Sequence, residues 1–361
     1  MQTPTRRVVV KQFCCGSSAF AALALAFTIP AFAGTLTYTC ETSGLGPVPT
    51  GVCSYLNTTI AGLYDSTFSN ANANIYIKYG GTPLAENQPV RDYVSYTAYL
   101  SGLTSTASGN TIDADALAAL NSLDTAIYGG GNVEVTPALG TALGLSGLNG
   151  ITANGLPCLL TSANCYAGLI TMSNSASFYY RTGSETSIQS DFYSAVEHET
   201  DEVLGTGSCI GTNTALADVC SGANTPSAAD LFRYSSAGQL IATSALSTAP
   251  GAYFSYDGGV TNGAYGAVYN TLANGNDYAD FVSGCPAVVR VQDAIPCAGH
   301  DAGIDVTNDG PGGTAGAEIN ILDAVGYNLA TPEPGSLGML VFGLMALGVV
   351  AYRRHRRPQA T

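Results

Sequence analysis

The sequence is short of positive charge. Its 361 residues hold 12 Lys and Arg against 26 Asp and Glu, a formal net charge of −14. Most of the cations gather at the two ends, as Arg6, Arg7 and Lys11 near the start and Arg353, Arg354, Arg356 and Arg357 near the finish. The stretch between keeps only Lys78, Arg91, Arg181, Arg233 and Arg290, with every acid but Glu333, which leaves it at about −20. Such a surface repels a phosphate backbone, so nucleic acid is excluded as an electrostatic partner. Other absences narrow the field further. No CxxC spacing supports a metal–thiolate cluster, no glycine motif for nucleotides and no nucleophile elbow is present, and no internal repeat is visible. Histidine occurs only as His198, His300 and His355, so an imidazole metal site has few candidates.

Residues 1–33 read as a signal peptide. Arg6, Arg7 and Lys11 form a basic region, Ala19 to Ile29 form an apolar run, and Ala31-Phe32-Ala33 gives the small-x-small pattern cut by signal peptidase. The run is shorter than the ~20 residues of a bilayer span, which favours cleavage near Gly34 over a permanent anchor. Thr5-Arg6-Arg7 through Lys11 resembles a twin-arginine export signal, although paired arginines also open ordinary signals, so both export routes stay open. At the other end, residues 331–361 read as a tripartite tail: Pro332-Glu333-Pro334, an apolar transmembrane helix over 337–352, and a basic stop over 353–357. The positive-inside rule keeps the arginines cytoplasmic and puts the body beyond the inner membrane. The tail resembles the PEP-CTERM sorting signal. That resemblance implies an exosortase-type sorting enzyme as partner, transient anchoring in the inner membrane, and a final place in the cell envelope or outside the cell.

The cysteines fit that compartment. Cys14 and Cys15 lie in the signal, and the other eight fall into sequence-local couples: Cys40 with Cys53, Cys158 with Cys165, Cys209 with Cys220, and Cys285 with Cys297. In an exported chain, adjacency predicts these four short-range disulfides.

Between the ends, residues 34–330 form one exported α+β domain. The apolar spacing predicts a helix over 55–68, and the period-two run 73–79 predicts a strand. Helices are expected over 93–103, 114–127 and 137–145, and strands over 167–173 and 177–181. Asp191 is a good N-cap for a helix from Phe192 to Leu204 that Gly205 ends. Beyond Gly205 the composition predicts loops and short strands, closing with a helix over 317–327.

The central helix carries the chemistry. His198 and Glu202, four residues apart, share a helical face and can offer an imidazole nitrogen and a carboxylate oxygen to one metal ion. Glu199 beside them stands where HExxH zinc proteases keep their general base. Here the second histidine is glutamate, giving HExxE, an acceptable but less specific zinc set. Gly205 falls on the glycine of the metzincin pattern, and Ser208 on its third-ligand position, where a hydroxyl is a poor substitute. An ordinary solvated acidic face, formed by Glu197, Glu199, Asp201 and Glu202, is the competing explanation of the same spacing.

The chain resembles the exported PEP-CTERM proteins classed as metalloproteases, whose helix reads H-E-x-x-E-V-[LM]-G. The likeness runs from about Ile75 to Leu329. It takes in Tyr76 to Gly80, His198 to Ser208, Asp230 to Ser235, Tyr253 to Gly259, Asp277 to Phe281, Val291 to Ala294 and Leu322 to Tyr327, with Phe281 where that family usually has Trp. The resemblance implies a zincin-like (metzincin-like) single domain with a central metal-site helix, a loop-rich C-terminal part and local disulfides. It implies a zinc-dependent metallopeptidase in which Glu199 is the general base on metal-activated water and a protein or peptide is the substrate. Asp230 is the expected third ligand beside His198 and Glu202, with His300 as the alternative. Asp257, Asp277, Asp280 and Asp293 are equally suited to binding Ca2+ or to capping turns. A non-catalytic envelope or extracellular matrix protein that retains a degenerate metalloprotease fold is the alternative reading, favoured by the missing second histidine.

Overall fold

Ala73, Ile75 and Ile77 are buried while Asn72 and Asn74 face solvent, the period-two pattern of a strand with one face on a core. In the computed structural model, which describes residues 34–41, 49–123, 131–210, 220, 225–241, 251–270, 278–300 and 316–330, this run becomes the middle of the main sheet. Strand β1 (Thr35–Cys40) leads through α1 (Val52–Tyr55), a wider π-helical segment Leu56–Ile60, and α2 (Ala61–Thr67) into β2 (Asn72–Gly80). Next come β3 (Ala85–Gln88), β4 (Asp92–Ser95), α3 (Tyr96–Thr106), α4 (Thr111–Asn121), β5 (Asn132–Val135) and α5 (Pro137–Ala142). A small sheet of β6 (Asn149–Thr152), β7 (Pro157–Leu159) and β8 (Cys165–Tyr166) precedes β9 (Gly168–Ser173). The paired dipeptides β10 (Phe178–Tyr179) and β11 (Ser190–Asp191) then deliver the chain to α6 (Phe192–Leu204). Beyond it lie a 3-10 turn at Ala229–Phe232, β12 (Arg233–Ser236), β13 (Gln239–Leu240), β14 (Tyr253–Phe254) and α7 (Ala317–Val325).

The main sheet has the order β1-β2-β9-β3, with β1, β2 and β9 parallel and β3 antiparallel to β9. Helix α6 packs on β9 and β3, and its approach has a sequence cause. A Cβ at Gly168 would stand 2.3 and 2.7 Å from the Val203 methyls, so only glycine lets the helix sit this close. Ile75, Ile170 and Met172 of the sheet share one core with Phe192, Val196, Val203 and Leu204 of α6 and with Ile319, Ile321, Leu322 and Tyr327 at the C-terminal helix. The buried back of α6 is fastened by polar contacts. Tyr64 Oη donates to Asp201 Oδ1 at 2.8 Å, and Tyr327 Oη to the Leu204 carbonyl at 2.8 Å. Asp191 caps the start by accepting from Ser194 N at 2.8 Å, and Gly205 ends the helix at φ 128°.

The mixed α and β architecture agrees with expectation, as do the four local disulfides Cys40–Cys53, Cys158–Cys165, Cys209–Cys220 and Cys285–Cys297. Element bounds differ in instructive places. The helix expected from Tyr93 starts at Tyr96, because 92–95 pairs with β5 and Ser95 Oγ accepts from Ala98 N at 3.1 Å. The helix expected from 114 starts at Thr111 under an Asn110 cap and ends at Asn121. The strand expected over 177–181 shrinks to Phe178–Tyr179, and β3 was not foreseen at all. Among the described residues no helix is long and apolar enough to cross a membrane. The expected signal peptide (1–33), sorting tail (331–361) and transmembrane helix (337–352) lie outside the described residues.

Candidate metal centre

The helical spacing of His198 and Glu202 produces the contact it implies: His198 Nε2 lies 3.8 Å from Glu202 Oε1. A third group arrives from the loop region. Asp280 Oδ1 is 3.6 Å from the same nitrogen, and one ligand atom from each of the three side chains lies within 4.8 Å of the others. His198 and Glu202 keep 18% and 14% of their side-chain surface exposed, against 6% for Asp280, so the helix pair is the more open part of the cluster.

Asp280 is held in place by a buried backbone network. Arg233, at 1% exposure, sends its guanidinium to the carbonyls of Tyr278 and, at 3.2 Å, Asn270, and lies 4.4 Å above the Tyr269 ring. Asn270 N donates to the Asp280 carbonyl at 2.7 Å, and Phe281 bridges to Tyr269 on one side and Asp293 on the other. The Phe281 amide donates to the Gln292 carbonyl at 2.8 Å, and Ala294 N returns a bond to the Phe281 carbonyl at 2.9 Å. From α7, Glu318 Oε1 accepts from Gln292 N at 2.9 Å. The two segments that meet at the cluster, around 280 and around 292, are thereby tied to each other and to a core helix.

That tie also orients the imidazole. His198 Nδ1 lies 2.8 Å from the Val291 carbonyl, so Nδ1 donates there and Nε2 is turned toward the carboxylates. Burial alone would push His198 down, but the carboxylates of Asp280, Glu199 and Glu202 and the Val291 carbonyl outweigh it and raise its pKa to about 10. Glu199 is pushed well above the carboxylate range by burial and by the charges of Glu202 and Asp280, against the opposing pull of His198 and of the Asn87 amide. Three carboxyl groups thus crowd one small site and favour positive charge there, which the protonated imidazole supplies in part and a divalent cation would supply in its place. One imidazole nitrogen and two carboxylate oxygens, with the imidazole's second nitrogen already hydrogen-bonded, is a donor set that fits such a cation.

Other sequence candidates have different employment. Asp230, expected as third ligand, accepts from Ser208 Oγ at 2.5 Å and from Cys209 N and Ser227 N at 2.8 Å each. It fastens the chain leaving α6 to the 3-10 turn, and Ser208, at the metzincin ligand position, is its partner. The structure therefore gives Asp280 the place beside His198 and Glu202 that sequence reasoning gave Asp230. His300 is exposed, with its backbone N–H on the Cys297 carbonyl at 2.9 Å, and does not join the cluster. Asp257 caps its own turn, accepting from Ser255 Oγ, Val260 N and Thr261 N. Asp293 accepts from Arg290 N at 3.2 Å, and Asp277 lies outside the described residues.

No known family, curated protein or solved structure matches this chain. The site therefore rests on its own geometry. Sequence reasoning named Asp280 only as one of four acids suited to Ca2+ or to turns, and gave it no place beside His198 and Glu202; Gln292 it quoted only within the segment 291–294. Their only signal was membership of two short acid- and amide-bearing segments, 277–281 and 291–294, whose convergence with α6 depends on contacts far apart in the chain.

Proposed function

We propose that this chain is an exported, metal-dependent peptide hydrolase built on a zincin-like scaffold, with His198, Glu202 and Asp280 holding a divalent cation, zinc being the first candidate. The observation that carries this reading is the convergence of Asp280 from the C-terminal region on the i,i+4 pair of α6, with Glu199 next to that pair in sequence. When bound, the cation would supply Lewis acidity toward a scissile carbonyl and offset the charge of the surrounding carboxylates. The positive charge of the cation would also lower the raised pKa of Glu199, which as a carboxylate would accept a proton from the attacking water as its oxygen bonds to the carbonyl carbon, and deliver that proton to the leaving nitrogen as the C–N bond breaks.

Two further observations support a peptide as substrate. Strand β3 ends the sheet, and edge strands pair readily with extended chains. The Asn87 amide of that strand also bonds the Glu199 carboxylate, which sets the base beside the edge. The four disulfides support export to an oxidising compartment. Export by the N-terminal signal and sorting through the PEP-CTERM-like tail belong to the same proposal.

Metal analysis of the purified protein, paired with a Glu199→Gln variant in a casein assay, tests it. Stoichiometric metal with activity at least about a hundredfold lower in the variant is the expected result. Protein that takes up no zinc or manganese overturns the reading, whereas metal-loaded protein as inert as its variant marks a non-catalytic envelope or matrix protein.

A further inference from the structure

Gln292 is fully buried, and its carboxamide is turned into the His198–Glu202–Asp280 cluster. Nε2 stands 3.3 Å from Asp280 Oδ1, to which it donates, and 3.5 Å from His198 Nε2. Its Oε1 is buried and has no hydrogen-bond partner. A buried carbonyl oxygen left without a partner is unfavourable, and in the opposite orientation of the carboxamide a cation held by the cluster would give it one. Rotation of the carboxamide by half a turn exchanges two atoms of nearly equal shape without moving the backbone. That rotation would bring Oε1 to where Nε2 now stands, 3.5 Å from His198 Nε2 and 3.3 Å from Asp280 Oδ1. These separations match those within the cluster, where His198 Nε2 is 3.6 Å from Asp280 and 3.8 Å from Glu202. The backbone is fixed for the purpose, since the Gln292 amide is held by Glu318 and its carbonyl by Phe281.

Resting on the metal reading above, we infer that Gln292 is a fourth protein donor of this centre, presenting Oε1 to the cation beside His198, Glu202 and Asp280. The site is then one nitrogen and three oxygens, harder than the histidine-rich sets of zinc peptidases. A donor set weighted to carboxylate and amide oxygen accepts Mn2+ as well as Zn2+.

The test uses the chelator-stripped full-length protein titrated with Mn2+ and with Zn2+ against a competing chromophoric chelator, in wild type, Gln292→Leu and Gln292→Glu. As a ligand, Gln292 is lost in the leucine variant, which should bind Mn2+ about ten- to a hundredfold more weakly. The glutamate variant supplies a charged oxygen at the same reach and should bind Mn2+ at least as tightly as wild type. If Gln292 only donates to Asp280, glutamate instead sets a like charge against that carboxylate, and both variants weaken. That result, or a leucine variant with unchanged affinity, overturns the inference while leaving a metal-binding wild type and the functional reading intact. A wild type that binds neither ion overturns both. Matching circular dichroism and thermal midpoints of the three metal-free proteins separate ligand loss from misfolding. A glutamate variant that recovers affinity is not explained by a purely structural role.

Discussion

Asp323 shows what a single buried acid does to this protein. It lies within α7 with no exposure, both carboxyl oxygens accepting from Asn110 Nδ2 at 3.0 and 2.9 Å. Burial raises its pKa from 3.8 to about 7; the Asn110 bond opposes the rise and nearby Asp113 adds to it. A carboxyl whose folded pKa is raised keeps its proton in the native state after the unfolded chain has lost it. Its contribution to stability is therefore whole below about pH 4 and is lost as pH rises through about 7. Asn at this position keeps the shape and an acceptor for Asn110 but never ionises. Asp323→Asn should match wild type in denaturant midpoint near pH 4 and exceed it at pH 8 by up to a few kcal/mol. Urea titrations at the two pH values decide this, and an equal loss at both would mean that ionisation of Asp323 does not set the difference.

At the scale of elements, the approach of α6 to β9 governs the centre, because His198 and Glu202 ride on that helix. Gly168→Ala drives a methyl into Val203 and should cost about 1–3 kcal/mol. Val203→Ala removes the obstruction, so the double variant should lose less than the sum of the singles, a coupling that a double-mutant cycle measures directly. Purely additive losses would mean that the two residues do not meet. The same helix was the most legible part of the sequence. The Asp191 cap, the Gly205 stop and the four-residue spacing of His198 and Glu202 all act locally, and local rules carry over intact from sequence to structure. Strand β3 was not legible. Ala-Glu-Asn-Gln has little strand propensity and becomes a strand because β9 offers it a ladder. The place of Asp280 beside His198 was illegible for a related reason. Its position depends on Arg233, Tyr269 and Phe281, and a buried arginine that serves backbone carbonyls leaves no periodic mark. Asp230 misled because an acid that follows a metal-type helix also suits the task of binding free amides, and here Ser208, Cys209 and Ser227 use it.

Over the whole molecule, cross-links complement a core that must hold many loops. The bridges close loops of 7 to 13 residues, each worth roughly 2–3 kcal/mol through the entropy it removes from the unfolded chain. Full reduction should therefore lower the thermal midpoint by at least about 10 °C. Calorimetry with and without a reductant checks this, and an unchanged midpoint would mean that the bridges contribute no net stability. The pairing itself was readable because each couple is local, whereas the His198–Glu202–Asp280 cluster joins side chains far apart in the chain.

That assembly sets an order of events during biosynthesis. Glu318, the acceptor for the Gln292 amide, belongs to the last helix described, and the Val291 carbonyl that orients His198 lies in the segment Glu318 secures. A ribosome makes α6 long before it makes α7. A nascent chain stalled between the two carries His198, Glu199 and Glu202 on a helix while the segment that holds Val291 and Gln292 still lacks its Glu318 anchor, so the candidate site is assembled only after α7 has been made.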